Sequence, residues 1–156
     1  MRWPWHSGGI YRVARKKILA ASPEACWRAI TDFDNYPRWQ SAIVDAKVTR
    51  IDECGRGREV VFELNAMVRT VQFTLGYSYD SPPDKLSWQS LSGDIKKIHG
   101  QYLCRPVAES PGGSLVELSF AVQPGIPVPR HIRRVLETVA IEQALDDLEK
   151  HAQSFT

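Results

Sequence analysis

The 156-residue sequence predicts an α+β fold: a curved antiparallel β-sheet of six to seven strands wrapped around a long C-terminal helix. Apolar and polar residues alternate with a period of two through much of the segment 43–122, as expected for strands with one buried face. The period becomes helical after residue 129, and this last helix is the only predicted element long enough to cover that face. Two short helices are expected after the first strand.

Size and composition fit one globular domain. The chain is 43% hydrophobic and 24% charged and has no internal repeat or low-complexity linker. Residues 1–156 are therefore expected to form a single domain with a flexible tail over 1–9. A net charge of +2 does not indicate a nucleic-acid partner. No apolar run could span a bilayer and no secretory signal precedes residue 10, which favours a cytoplasmic protein.

The cysteines give no sign of a cofactor. Cys26, Cys54 and Cys104 are odd in number and widely separated, so neither a disulfide framework nor a metal site is predicted. We expect three reduced and mostly packed thiols. No metal and no redox cofactor is implied, and a bound quinone would be cargo.

The first quarter of the chain predicts one strand and two short helical segments. Tyr11 to Ala20 forms a strand, and its basic run at 15–17 indicates an edge or heavily solvated position. Ser22-Pro23-Glu24 supplies an N-cap, a proline at the first helical position and an acid in the first turn of a helix over about 23–31. Residues 32–39 contain turn-forming residues and favour short turns or a second small helix.

The middle of the chain predicts a meander of strands. Even positions from Val60 to Ala66 and odd positions from Val71 to Tyr79 are apolar or aromatic, and their neighbours are mostly polar. Clusters of turn-forming residues separate the strands at 53–57, 80–84, 92–94 and 110–113. Three further strands are predicted at Leu86–Leu91, Lys96–Val107 and Leu115–Val122.

The segment from Arg130 to about Ser154 predicts one long helix, because it lacks Gly and Pro and is rich in good helix formers. At about 100° per residue it carries two apolar stripes. The stripe expected to pack on the sheet contains Ala140, Ile141, Ala144, Leu145, Leu148, Ala152 and Phe155. The stripe on nearly the opposite side contains Ile132, Val135, Leu136 and Val139. Either the helix is kinked near 138–140, or its first turns expose an apolar patch.

An exposed patch at the start of this helix would have a basic rim, supplied by residues 130–134. Apolar residues framed by basic ones are typical of a membrane interface or a protein contact. We name this surface the docking patch and expect it to gate the ligand site or to contact a membrane or partner transiently. Its predicted residues are Ile126, Val128, Ile132, Val135, Leu136 and Val139.

Several local motifs follow one another along the chain. Ser-Pro-Glu at 22–24 starts the first helix, and residues 32–39 carry an aspartate followed by tyrosine-proline-x-tryptophan. Leu86-Ser87-Trp88 and Gly100-Gln101-Tyr102 occur in the middle strands. The proline-rich segment 124–129 leads into the last helix.

In order and spacing, these motifs resemble the START-like (SRPBCC) superfamily. It includes polyketide cyclase/dehydrases, coenzyme Q-binding proteins, lipid-transfer START domains and plant pollen allergens. The resemblance runs from about Tyr11 to Ala152 and implies the helix-grip fold, with an elongated cavity between the sheet and the last helix. The length and the proline-rich segment are most similar to the coenzyme Q-binding branch. Because this fold hosts unrelated functions, it predicts architecture better than activity.

The resemblance and the period-two register together predict which residues line the cavity. Such pockets combine apolar and aromatic walls with a few polar groups that orient the ligand. The same side chains could instead simply pack against the helix. The expected ligand-binding residues are Tyr36, Trp39, Phe62, Leu64, Phe73, Leu75, Tyr77, Trp88, Ile98, Tyr102, Leu118, Phe120, Ile141, Leu145 and Leu148.

The sequence assigns no catalytic residue. An acid or base would have to lie in the cavity, and few ionisable residues have the inward parity. His99 is expected on the outer face, His6 in the tail, and His131 and His151 on the last helix. No nucleophile–base spacing and no glycine-rich phosphate loop is present.

We therefore expect binding or carriage of a small hydrophobic ligand, such as a lipid, a quinone or another isoprenoid, without catalysis. One alternative is a cyclase or aromatase acting on a poly-β-ketone, which an inward cluster of Arg, Tyr or His would favour over a uniformly apolar tunnel. Another is a partner-binding regulator on the same fold, for which the near-neutral charge disfavours RNA contact. The ligand and the oligomeric state stay open at this level.

Overall fold

A computed structural model describes residues 10–65, 69–81, 84–125 and 128–155. It confirms the predicted α+β helix-grip architecture, and the elements agree with the predicted bounds to within two residues. The predicted tail, 1–9, lies outside the described residues. The strands are β1 (Tyr11–Leu19), β2 (Ile43–Ile51), β3 (Gly57–Asn65), β4 (Thr70–Ser81), β5 (Lys85–Gly93), β6 (Lys97–Pro106) and β7 (Ser114–Gln123). The helices are α1 (Pro23–Ile30), α2 (Tyr36–Trp39) and α3 (Arg130–Gln153).

Two side-chain hydrogen bonds position the first helices. The Ser22 hydroxyl accepts a hydrogen bond from the Ala25 amide at 3.1 Å, which fixes the start of α1 as predicted. A 3₁₀ turn at Phe33–Asn35 then leads into α2. The Tyr36 hydroxyl donates to the Ile30 carbonyl at 2.5 Å and thereby holds α2 against the end of α1.

The seven strands form one antiparallel sheet in the order β1-β7-β6-β5-β4-β3-β2. Cross-strand pairing aligns one row of residues on the inner face of β1, β7, β6, β5 and β4. In that order, the row consists of Val13, Phe120, Gly100, Trp88 and Tyr77. Register shifts between β2 and β3 and between β4 and β5 mark irregular pairing, which bends a sheet. The sheet is accordingly curved around the helical side.

Helix α3 packs on α1, α2 and β1. The basic run of β1 contributes to this contact, because Arg15 Nε lies 3.0 Å from Glu142 Oε1 and Lys17 pairs with Asp146. Strand β1 is thus an edge strand, as its charge predicted. The helix is continuous over 24 residues, without a break near 138–140.

The two halves of α3 differ in burial. From its midpoint onward, Ile141, Leu145, Leu148 and Ala152 are at most 1% exposed and face the core, as predicted. In the first half, Val139 is 58% exposed. The unbroken helix therefore buries one stripe and leaves part of the other in contact with solvent.

Candidate ligand-binding site

The predicted lining residues all belong to, or pack against, one hydrophobic cluster on the inner side of the sheet. Most of them are buried, while Leu64, Trp88 and Phe120 are partly buried. The period-two register therefore assigned these side chains to the correct face. Their contact with a ligand remains a prediction.

Aromatic rings form a path through this cluster. The ring of Trp88 lies 6.1 Å from that of Tyr77, which lies 4.5 Å from Phe33. Phe33 lies 5.7 Å from Tyr36, whose ring is 4.6 Å from Trp39. Phe33 was not among the predicted lining residues, because it occupies a 3₁₀ turn where neither a strand nor a helix period applies.

One end of the aromatic path reaches solvent. Trp88 and Phe120 point inward by register but are only partly buried. Beside them the start of α3 is held to β1 by the Arg133 guanidinium, 4.8 Å above the Tyr11 ring. The inner face is thus most accessible between β5–β7 and the first half of α3.

The other end of the path is surrounded by paired polar groups that the sequence did not single out. The buried Asp147 carboxylate accepts hydrogen bonds from the Ser41 amide at 3.0 Å and from the Ser41 hydroxyl and the Gln143 amide, both at 2.8 Å. The two bonds from Ser41 fasten the second half of α3 to the segment after α2.

His151 takes part in the same end of the structure. Its Nε2 lies 2.9 Å from Asp32 Oδ2, and its ring is parallel to the Trp39 indole at 5.2 Å. His151 therefore supports the position of Trp39 and joins α3 to the connection between α1 and α2. No local pattern in the sequence indicates a pair of residues this far apart along the chain.

The phenols of the inner face are held in their neutral form. Burial raises the pKa of Tyr36, Tyr77 and Tyr102 well above the usual range for a phenol. Burial likewise raises the pKa of the Cys104 thiol to about 12. At neutral pH these tyrosines can donate hydrogen bonds but are poor bases.

Two hollows lie at the surface. A groove of about 500 Å³ is lined by Ala14, Ser87, His99, Gln101 and Ser119, whose parity is opposite to that of the buried rows, and also by residues of the inner row, Val13, Trp88, Gly100 and Phe120. His99 is exposed on that outer face, as predicted. A second hollow of about 440 Å³ adjoins the β2–β3 turn. Neither hollow contains the predicted lining set as a whole.

The docking patch is exposed only in part. Val139 is exposed, and Val128 and Val135 are partly buried. Ile126 and the side chains of Ile132 and Leu136 lie outside the described residues. The predicted basic rim is exposed at Arg130, His131, Arg133 and Arg134.

The described side chains provide no cluster of three or more His, Cys, Asp or Glu that could hold a metal ion. Cys26 and Cys104 are free and buried, and Cys54 is free and exposed. Within the described ranges, no helix has the length and apolarity needed to cross a membrane.

Comparison with known proteins agrees with this architecture. The model of the family described as polyketide cyclase/dehydrase and lipid transport matches residues 11–153. No curated protein matches the chain closely in sequence.

Solved structures are similar over most of their length. A START superfamily protein from Mycobacterium smegmatis has a TM-score of 0.82 at 20% identity, covering 94% of this chain and 99% of its own. A protein from Thermus thermophilus has a TM-score of 0.78 at 19% identity, covering 93% and 99%. The aromatase/cyclase ZhuI from Streptomyces has a TM-score of 0.72 at 12% identity, covering 92% and 94%. At these identities the likeness establishes the fold alone.

Proposed function

Since the chain belongs to the polyketide cyclase/dehydrase and lipid-transport family, we propose that it binds a small hydrophobic ligand between the sheet and α3. The ligand class is a lipid, a quinone or another isoprenoid, carried without chemical change. The observation that carries the proposal is the aromatic path from the partly buried Trp88 to the buried Trp39. Aromatic and aliphatic walls of this kind suit an apolar ligand.

Ligand entry is proposed between β5–β7 and the first half of α3. Trp88 and Phe120 are accessible there, whereas the second half of α3 is fixed by the bonds of Asp147 and His151. Segments with few buried contacts open more easily than the core. The first half of α3 would therefore move aside while the second half stays in place.

The chemistry of the inner face favours carriage over catalysis. Its phenols are neutral at neutral pH, and burial raises the pKa of Tyr36, Tyr77 and Tyr102 further from that range. The oxygens of the nearby Asp147 carboxylate are already engaged by three hydrogen bonds from Ser41 and Gln143.

A cyclase acting on a poly-β-ketone is the second candidate. The observation in its favour is the presence of three buried tyrosines, Tyr36, Tyr77 and Tyr102, on one face. Neutral phenols can donate hydrogen bonds to ketone oxygens and so direct the folding of a flexible chain. This candidate predicts turnover of a poly-β-ketone, whereas a carrier returns its ligand unchanged.

Native mass spectrometry of the purified protein, followed by denaturing extraction, tests the carrier proposal. We expect one isoprenoid or fatty-acyl molecule per chain. Ala144→Phe, which places a ring at a partly buried position beside the core, should abolish co-purification, while Thr138→Phe on the exposed surface of the same helix should not. Wild-type protein that carries no ligand and binds no added isoprenoid would contradict the proposal. Conversion of a poly-β-ketone by the same sample would establish the cyclase.

We further propose that the docking patch makes a transient contact with an anionic membrane. The first two turns of α3 expose four basic residues, and their acidic neighbour Glu137 is paired with Arg133 at 2.9 Å. A basic rim around exposed Val139 fits a negatively charged lipid surface, and its position beside the proposed opening fits ligand transfer.

Vesicle flotation tests this contact. We expect the wild-type protein to float with phosphatidylglycerol vesicles and not with pure phosphatidylcholine vesicles. Replacing Val135 and Val139 by Asp should abolish binding, while Thr138→Asp, a single change of charge at an exposed polar position, should weaken it only slightly. Equal binding of the double variant and the wild type, with intact folding, would rule out the membrane contact.

A further inference from the structure

The indole N–H of Trp39 stands apart from the other polar groups of the core. Trp39 is 9% exposed and ends α2, with its ring packed between Tyr36 and His151. Among the described residues, its Nε1 is the buried side-chain nitrogen or oxygen for which no hydrogen-bond partner is found. A buried donor without a partner is destabilising, because the hydrogen bond it would make to water is lost and not replaced.

The two side chains that pack on this indole, Tyr36 and His151, already have hydrogen-bond partners. Tyr36 donates to the Ile30 carbonyl, and His151 is bonded to Asp32. Asp147, which bonds Ser41 two residues beyond Trp39, also accepts from Gln143. The indole N–H is left without a partner among the described residues.

Trp39 lies at the end of the aromatic path opposite the solvent-accessible Trp88. A ligand that enters beside Trp88 would bring its leading end toward Trp39. Resting on the proposed function, we infer that the Trp39 indole N–H donates a hydrogen bond to an oxygen at the leading end of the bound ligand. The ligand class is thereby narrowed to apolar molecules that carry a carbonyl or ether oxygen.

The carboxylates near Trp39 favour a ligand whose hydrogen-bond-accepting oxygen is uncharged. The Asp32 carboxylate bonds the histidine that stacks on Trp39, and the Asp147 carboxylate bonds Ser41, two residues beyond it. A carboxylate ligand would bring a further negative charge toward the Asp32 and Asp147 carboxylates, and this repulsion is unfavourable. A ketone, quinone or ester oxygen accepts the same bond without that cost.

Two probes of nearly equal shape separate the hydrogen bond from apolar burial: 2-acetylnaphthalene, which has a carbonyl, and 2-ethylnaphthalene, which does not. In ¹H–¹⁵N spectra of the labelled wild-type protein, the ketone should move the Trp39 indole proton downfield and the hydrocarbon should not. Trp39→Phe keeps an aromatic ring and should weaken ketone binding about fivefold, the equivalent of about 1 kcal/mol, and hydrocarbon binding less than twofold. The carboxylate 2-naphthoate should bind more weakly than the ketone at neutral pH.

Trp27→Phe is the matched control, because Trp27 is partly buried and its ring contacts Tyr79 at 6.0 Å, away from the proposed contact. It should change neither affinity. Equal losses for both probes in Trp39→Phe would mean that the ring acts only by packing and would overturn the inference. The inference would also be overturned if the Trp39 indole proton did not shift in a spectrum in which other resonances do. If no resonance responds to either probe, the proposed function itself fails.

Discussion

The imidazole of His151 lies parallel to the indole of Trp39, with ring centroids 5.2 Å apart and planes inclined by 4°. The same imidazole is bonded to Asp32, so one side chain near the end of α3 fixes both the tryptophan and the connection between α1 and α2. Stacking and hydrogen bonding thus act together on the residue to which we assign ligand contact.

A double-mutant cycle should reveal the coupling between Asp32 and His151. His151→Phe keeps a flat ring against Trp39 but removes the bond to the carboxylate, and Asp32→Asn removes the charge. We expect a coupling of about 0.5–2 kcal/mol in the free energy of unfolding, because the two groups are in direct contact and half-buried. Urea unfolding measures it, and strictly additive effects would show that the bond contributes nothing.

Asp147 should be far more important to stability than its neighbour Asp146. Asp147→Ala removes the buried charged acceptor of the Ser41 amide and hydroxyl, and the loss of these two charge-assisted hydrogen bonds should cost about 1.5–3 kcal/mol. Asp146→Ala removes a solvent-exposed pair with Lys17 and should cost at most about 1 kcal/mol. Similar midpoints for both variants in urea unfolding would contradict this difference.

Gly100 should not tolerate a side chain. A Cβ there would lie 2.6 Å from the Ser119 carbonyl oxygen and 2.8 Å from the Trp88 ring, so Gly100→Ala should cost about 1–3 kcal/mol and displace the indole. At Gly76 the nearest atoms belong to the exposed, rotatable side chain of Leu91, and Gly76→Ala should change stability by less than about 1 kcal/mol. Thermal unfolding of the two variants checks the prediction, which fails if Gly76→Ala is the more damaging change.

Stability should fall in alkaline solution because of the buried Cys104 thiol. Burial raises its pKa to about 12 from a reference value of 9.0, so the native state holds the proton that the unfolded chain has lost. The contribution of the protonated Cys104 thiol to the free energy of unfolding is fully present below pH 9. It is lost as the pH rises toward 12, at up to about 1.4 kcal/mol per pH unit. Cys104→Ala should flatten the fall measured by urea unfolding between about pH 9 and about pH 10.5. Exposed Cys54→Ala should leave the slope unchanged, and an unchanged slope in Cys104→Ala would contradict the assignment.

Local periodicity was sufficient to predict the order of strands and helices and to predict which side chains lie on the inner face of the sheet. In a strand, successive side chains point to opposite sides, so the parity of Phe62, Phe73 and Leu118 decided their burial before any tertiary contact was known. The cap at Ser22 and the helix-forming composition after residue 129 are likewise local signals, and α1 and α3 begin where they indicate.

Tertiary structure alone decided which groups meet at the end of the site. His151 and Asp32 are 119 residues apart, and Ser41 and Asp147 are 106 apart. No repeat of two or 3.6 residues carries information over that distance, because such pairs are set by how α3 docks on the first helices. The same docking covers Ile141 and leaves Val139 exposed, and it leaves the Trp39 indole N–H without a protein partner among the described residues. A helical stripe indicates a direction on the helix, and only packing decides which part of the stripe is covered.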